Sequence, residues 1–169
     1  MDRTTFDRLV LEHLAAAQRF AIRLTGDPSA AEDLMQDALL KAHRARQTFR
    51  GQSKFTTWLF QIVVNCFRDG LDRQKARGAC EPIGEEIEQT IASPGDEAQA
   101  KELGAQIAAA VSKLPPRQRE VLVLSAYEGL SIGEIARVLS MSEQNVRTTL
   151  YLARERLKSQ LSRYLGIAK

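Results

Sequence analysis

The sequence predicts an all-α fold: two small helical domains joined by a flexible acidic linker, the C-terminal one a helix-turn-helix. Three observations carry this. Apolar residues recur every three or four positions through nearly all periodic segments. Proline, glycine and capping residues punctuate those segments where helices start and stop. Charge falls in three blocks. Residues 1–77 hold 13 Lys/Arg against 9 Asp/Glu, residues 78–101 hold 1 against 6, and residues 102–169 hold 10 against 6. Two basic blocks around an acidic strip suggest two polyanion-binding units with a tether between them.

In the first domain, residues 1–77, the stripe Phe6, Leu9, Val10, His13, Ala17, Phe20 and Leu24 predicts a helix closed by Gly26. Asp27-Pro28-Ser29 opens a second helix, and Ser29 with Glu32 has capping-box spacing. Its stripe is Ala31, Leu34, Met35, Ala38, Leu39 and Ala42. After a loop at Arg50–Ser53, a third stripe of Phe55, Trp58, Leu59, Ile62, Val63 and Phe67 runs into basic Arg73, Lys75 and Arg77.

Residues 78–101 hold Pro82, Gly84, Pro94 and Gly95 and few large apolar side chains, so they read as the linker. In the last domain, residues 102–169, a helix beginning near Glu97 reaches Lys113 and stops at Leu114-Pro115-Pro116. The next spans Arg117–Tyr127 and is closed by Gly129. Ser131 with Glu134 makes a second capping box, opening a helix over Ile132–Leu139. Ser142 caps a long final helix bearing Val146, Leu150, Ala153, Leu157 and Leu161.

The segment Ser131–Leu150 has the shape of a DNA-reading helix-turn-helix. Small Ala136 sits where the helices cross, and Ile135, Leu139, Met141 and Val146 fill the angle. Gln144, Asn145, Arg147, Thr148 and Tyr151 are left outward, and side chains of these types read base edges: Arg on guanine, Gln or Asn on adenine, Thr on the thymine methyl. Arg117 and Arg119 suit phosphate contacts that set register. Ser140 occupies a turn position where backbone of positive φ favours glycine, at a cost of about 1 kcal/mol.

Two sets of motifs resemble the extracytoplasmic-function class of bacterial sigma factors of the sigma-70 family. The first is Leu24-Thr25-Gly26-Asp27, Ala31-Glu32-Asp33-Leu34, Gln36-Asp37, Phe49, Phe55, Trp58-Leu59 and Asn65, similar to region 2. The second is Leu114-Pro115, Gln118-Arg119-Glu120-Val121, Gly129-Leu130-Ser131, Glu134-Ile135-Ala136, Ala153-Arg154 and Leu157, similar to region 4.

The resemblance implies an alternative sigma factor that binds core RNA polymerase and directs promoter-specific initiation. It assigns polymerase docking to Asp33, Gln36 and Asp37. It assigns recognition and melting of the −10 element to Gln52, Ser53, Lys54, Trp58, Asn65, Arg68 and Arg73. The −35 element falls to Arg117, Arg119, Gln144, Asn145, Arg147, Thr148, Tyr151 and Arg154. Trp58 reads first as core, by its spacing with Phe55 and Ile62, with a wedge against the duplex as the alternative. Asn65, polar in an apolar stretch, reads as a base contact or as a satisfied structural amide. Thr149 and Leu152 stand where many relatives carry more arginine, which predicts a weaker salt-dependent affinity. Glu81, Glu85, Glu86 and Glu88 read either as mimics of a nucleic-acid strand or as a solvated tether.

The expected partners are core polymerase, promoter DNA and an anti-sigma factor on a separate chain. No catalytic residue, cofactor or metal is expected. Cys66 and Cys80 fit no metal-ligand spacing, and His13 and His43 lie apart from them in sequence. No apolar run nears the roughly 18 residues of a membrane span. The start, Met1–Leu11, lacks the pattern of a signal peptide, so a cytoplasmic location is expected. Two rival readings are a stand-alone regulator dimerising through Leu157, Leu161 and Leu165, and an enzyme. The first leaves residues 1–77 unexplained, and the second lacks a phosphate loop or a Ser/His/Asp set.

Overall fold

In the first domain, three amphipathic helices bury one stripe each, as the spacing requires. The computed structural model describes residues 1–78 and 96–164, with side chains from 101 to 162 in the second stretch. Helix α1 (Arg3–Thr25) buries Phe6, Ala17, Phe20, Ala21 and Leu24. Gly26 ends it at φ 75°, ψ 2°, a left-handed cap whose N–H donates to the Ile22 carbonyl. Helix α2 (Pro28–Ala45) buries Ala31, Leu34, Met35, Ala38 and Ala42. A single 3-10 turn, Arg46–Thr48, and a loop lead to α3 (Phe55–Ala76), which buries Phe55, Leu59, Phe60, Val63, Val64, Cys66 and Phe67.

The second domain holds α4 (Asp96–Ser112), α5 (Pro116–Ala126), α6 (Ile132–Leu139) and α7 (Glu143–Tyr164). Helix α4 starts at Asp96, one residue before the Glu97 start that the sequence predicts. Cys80, Leu165 and the four linker glutamates lie outside the described residues. Among the described residues no helix is long and apolar enough to cross a membrane.

One capping assignment is corrected. Helix α2 is opened not by a Ser29–Glu32 box but by Asp27, whose Oδ1 accepts from the Ala30 N–H at 3.0 Å. Pro28 takes the first helical position, which moves Ser29 into the helix and out of reach of the cap. The α6 box is present. The Glu134 N–H donates to Ser131 Oγ at 3.3 Å, and the Ser131 N–H donates to Glu134 Oε2 at 2.9 Å. The Ser131 N–H and the Ser131 hydroxyl both donate to Glu134 Oε2, each at 2.9 Å, and hold that carboxyl below its usual range by favouring its charged form.

Phe6, Phe49, Phe55 and Trp58 form an aromatic cluster at the α1–α3 contact. Trp58 lies 5.4 Å from both Phe49 and Phe55, ring centre to ring centre. His13 stacks on Phe55 at 5.8 Å and His43 meets the edge of Phe6 at 5.7 Å, so both histidines are packing residues here. Burial pushes the Cys66 thiol above its ordinary value, which keeps it protonated.

The turn between α6 and α7 has the geometry anticipated for it. Ser140 lies at φ 53°, ψ 49°, while the Met141 N–H closes the helix on the Ala136 carbonyl at 2.9 Å. A side chain in the left-handed region is strained by about 1 kcal/mol, and glycine is not. Ser140→Gly is therefore expected to stabilise the chain by about 0.5–1 kcal/mol. Urea unfolding monitored by circular dichroism checks this through a higher midpoint at unchanged slope.

Candidate nucleic-acid interface

The reading surface of the second domain follows from what α7 buries. Val146, Leu150 and Ala153 are buried in the same core as Ile135, Ala136, Val138 and Leu139 of α6. At 3.6 residues per turn, that stripe turns the intervening side chains out. Gln144, Asn145, Arg147, Thr148, Tyr151 and Arg154 are all exposed, Tyr151 at 63%. Ser142 Oγ accepts from the Asn145 N–H at 3.2 Å, capping the helix start. Glu143 lies 3.4 Å from Arg147, one turn below it. Thr149 is half-buried and Leu152 is exposed beside Tyr151.

The first domain presents a second polar surface. Gln52 and Lys54 are exposed and Ser53 half-buried in the loop before α3, where Gly51 turns the chain at φ 70°. Asn65 is exposed on α3 and makes no side-chain hydrogen bond among the described residues. Arg73 lies 3.5 Å from Asp37 and donates to the Asp69 carbonyl. Asp33, Gln36 and Asp37 are exposed on α2 and line a shallow groove floored by α3 at Gly70, Arg73 and Gln74.

Arg68, Arg117, Lys54 and Arg119, all assigned to DNA by resemblance, meet protein groups in this conformation. Arg68 donates from Nε and Nη2 to the two carboxylate oxygens of Glu120, at 3.0 and 2.6 Å. Glu120 is 0% exposed, and Arg117 approaches it to 3.8 Å from one turn earlier on α5. Lys54 lies 3.6 Å from Glu134 Oε1. Arg119 is turned inward, a correction to its reading as a phosphate contact in this conformation. Its guanidinium donates to the Leu24 carbonyl at 2.5 Å, the Leu114 carbonyl at 3.1 Å and the Ser112 carbonyl. The physical reason is that α1 and α4 both end there, leaving carbonyls without helical donors, and a planar guanidinium can serve several at once.

Sequence reading missed the partners of these cations. Arg23 of α1 pairs with Glu128 at 3.4 Å and lies over the Tyr127 ring at 4.3 Å. Burial raises the Glu128 carboxyl above its usual value despite Arg23 and Arg19 nearby. A signal did exist for Glu120: it lies one turn before Leu124 and directly before Val121, on the face that α5 buries.

Comparison with known proteins agrees with this geometry. A family model for sigma-70 region 2 matches residues 9–77, and one for sigma-70 region 4 matches residues 104–157. The chain is 31% identical over 169 residues to the RNA polymerase sigma-H factor of Pseudomonas aeruginosa, covering 95% of this chain and 88% of that one. It is 35% identical over 166 residues to the extracytoplasmic-function sigma factor SigM of Mycobacterium tuberculosis, covering 98% and 81%. Among solved structures, the sigma factor RpoE in complex with the anti-sigma factor NepR from Bartonella quintana superposes with a TM-score of 0.75 at 28% identity, covering 94% and 97%. CnrH in complex with the cytosolic domain of CnrY gives 0.67 at 27%, covering 95% and 90%. The chain belongs to the extracytoplasmic-function class of the sigma-70 family, subunits that direct RNA polymerase to promoters.

Because Arg119 ties carbonyls from both domains together, its loss is a stability defect. Arg119→Ala is expected to lower the unfolding free energy of the isolated chain by about 1.5–3 kcal/mol, the range for hydrogen bonds to a charged group. Arg119→Lys recovers only part, since an ammonium lacks the planar fork. Unchanged denaturation midpoints would return Arg119 to a purely DNA-facing role.

Proposed function

We propose that this sigma factor reads the −35 element with the exposed start of α7 and opens the −10 element with the α3 surface and the loop before it. The observation that carries this is the outward row Gln144, Asn145, Arg147, Thr148 and Tyr151 above a fully apolar α6–α7 angle. Such a row enters a major groove as the second helix of a helix-turn-helix does, with Arg154 one turn on toward the backbone. Arg117, exposed at the start of α5, supplies a phosphate contact.

On the first domain, Gln52, Ser53 and Lys54 receive a base flipped from the non-template strand, and Trp58 supplies the aromatic wall beside them. Asn65, Arg68 and Arg73 follow the strand along α3, Arg68 after exchanging Glu120 for a phosphate. Asp33, Gln36 and Asp37 dock on basic residues of core polymerase. The acidic segment before α4 tethers the two domains. The chain acts as a non-catalytic subunit: phosphodiester synthesis belongs to the polymerase. One of the similar structures holds a sigma factor with an anti-sigma factor, which supports a protein antagonist on a separate chain here.

The test is base discrimination. Arg147→Ala is expected to lose about 1–3 kcal/mol of preference at one −35 position, with other positions unchanged. Competition binding of polymerase holoenzyme to a set of single-base promoter variants measures it. A uniform loss at every variant would make Arg147 a phosphate contact, and no loss would remove it from the reading row.

A further inference from the structure

The side of α7 that faces away from the core carries an uncharged strip from Gln144 to Leu152. Val146, Leu150 and Ala153 are buried. At 3.6 residues per turn the opposite side falls to Gln144, Thr148, Tyr151 and Leu152, all exposed. Cations stand beside the strip, Arg147, Arg154 and Lys158 along one edge and Arg156 along the other, and Glu155 ends it one turn beyond Tyr151. Leu152 is 46% exposed. Among the described residues, Tyr151 and Leu152 are the one pair of sequence neighbours that both leave large apolar side chains in solvent. Thr148, one turn before Leu152, extends the patch. Its hydroxyl donates to the Gln144 carbonyl at 3.1 Å. Its one donor proton is thus taken within the helix, and its methyl group is the feature left for an apolar contact.

We infer that Leu152 is a specificity-determining residue of the −35 contact and that, with the Thr148 methyl and the Tyr151 ring, it takes the 5-methyl group of a thymine. The inference rests on the −35 assignment above. Leucine has neither donor nor acceptor, and the thymine methyl is the apolar group that base edges present in the major groove. Against guanine, adenine or cytosine the same side chain strips water from a donor or acceptor and returns no bond. It therefore selects by penalty as well as by contact. The reach along the groove is suitable. Gln144 and Leu152 are separated by about 12 Å of helix, the rise of about three to four base pairs. A helix lying in the groove carries both over one short element.

The experiment uses holoenzyme assembled from the full chain and bacterial core polymerase, on a promoter from which it initiates, with the upstream element randomised. Bound DNA is selected and sequenced for the wild type and for Leu152→Ala, an exposed change whose folding circular dichroism checks. The wild-type motif is expected to hold a thymine, on one strand or the other, at a position where Leu152→Ala accepts all four bases. The remaining positions are expected to be unchanged. Deoxyuridine in place of that thymine removes the methyl group alone. It is expected to weaken wild-type binding about fourfold and to leave Leu152→Ala binding unchanged. Leu152→Arg is expected to move the preference at that position to guanine. The inference is overturned if Leu152→Ala keeps the full motif, if the base it ceases to select is not thymine, or if the wild type tolerates deoxyuridine. Loss of polymerase assembly by Leu152→Ala would also overturn it, by making Leu152 a protein contact. A selection that yields no upstream motif would sink the −35 assignment itself, whereas a motif insensitive to Leu152 leaves that assignment standing.

Discussion

A carboxylate without solvent contact must find a cation, and Glu120 imposes that requirement on the whole molecule. It sits on α5 among Val121, Leu122, Val123 and Leu124, all buried, and its partner comes from α3 of the other domain. A buried ion pair contributes little net stability against an apolar substitute. Breaking one, however, costs about 3–5 kcal/mol because a charge is left stranded. The Arg68–Glu120 pair thus sets how α3 meets α5 more than how strongly the chain folds. Arg119 next to it works in the same direction, tying the end of α1 to the end of α4 through their unpaired carbonyls. Arg23–Glu128 and Lys54–Glu134 lie further out, where water and salt weaken them.

Much of the architecture was readable because it depends on local rules. Ser131 and Glu134 announced the start of α6 by their spacing, and both bonds of the box form. Gly26 marked the end of α1. Ser140 was read as a strained turn residue and lies in the left-handed region. At α2 the local rule was right and the residue was wrong. Asp27 and Ser29 are both good caps, and the proline between them decides, because it fits the first helical position and leaves Asp27 outside.

The outward row of α7 was legible for the same reason: periodicity alone separates Val146, Leu150 and Ala153 from their neighbours. What sequence reading could not supply was anything made by two distant segments. Arg68 and Glu120 stand 52 residues apart, and Arg119 and Leu24 stand 95 apart. Arg119 looked like a DNA contact because a cation at the start of a helix usually faces solvent. Nothing local told that the ends of α1 and α4 would converge on it. Asn65 has two readings in the sequence, and the structure adds its exposure on α3.

The arrangement gives the two domains different relations to DNA. The row on α7 is exposed as the chain stands, whereas Arg23, Lys54 and Arg68 of the first domain are engaged by glutamates of the second. The most direct test of a promoter-directing role is transcription of sheared genomic DNA by bacterial core polymerase, with and without this protein, followed by sequencing of RNA 5′ ends. The account predicts a new set of start sites sharing two upstream motifs at one spacing, one for each domain. No new starts, from protein shown to be folded, would contradict it.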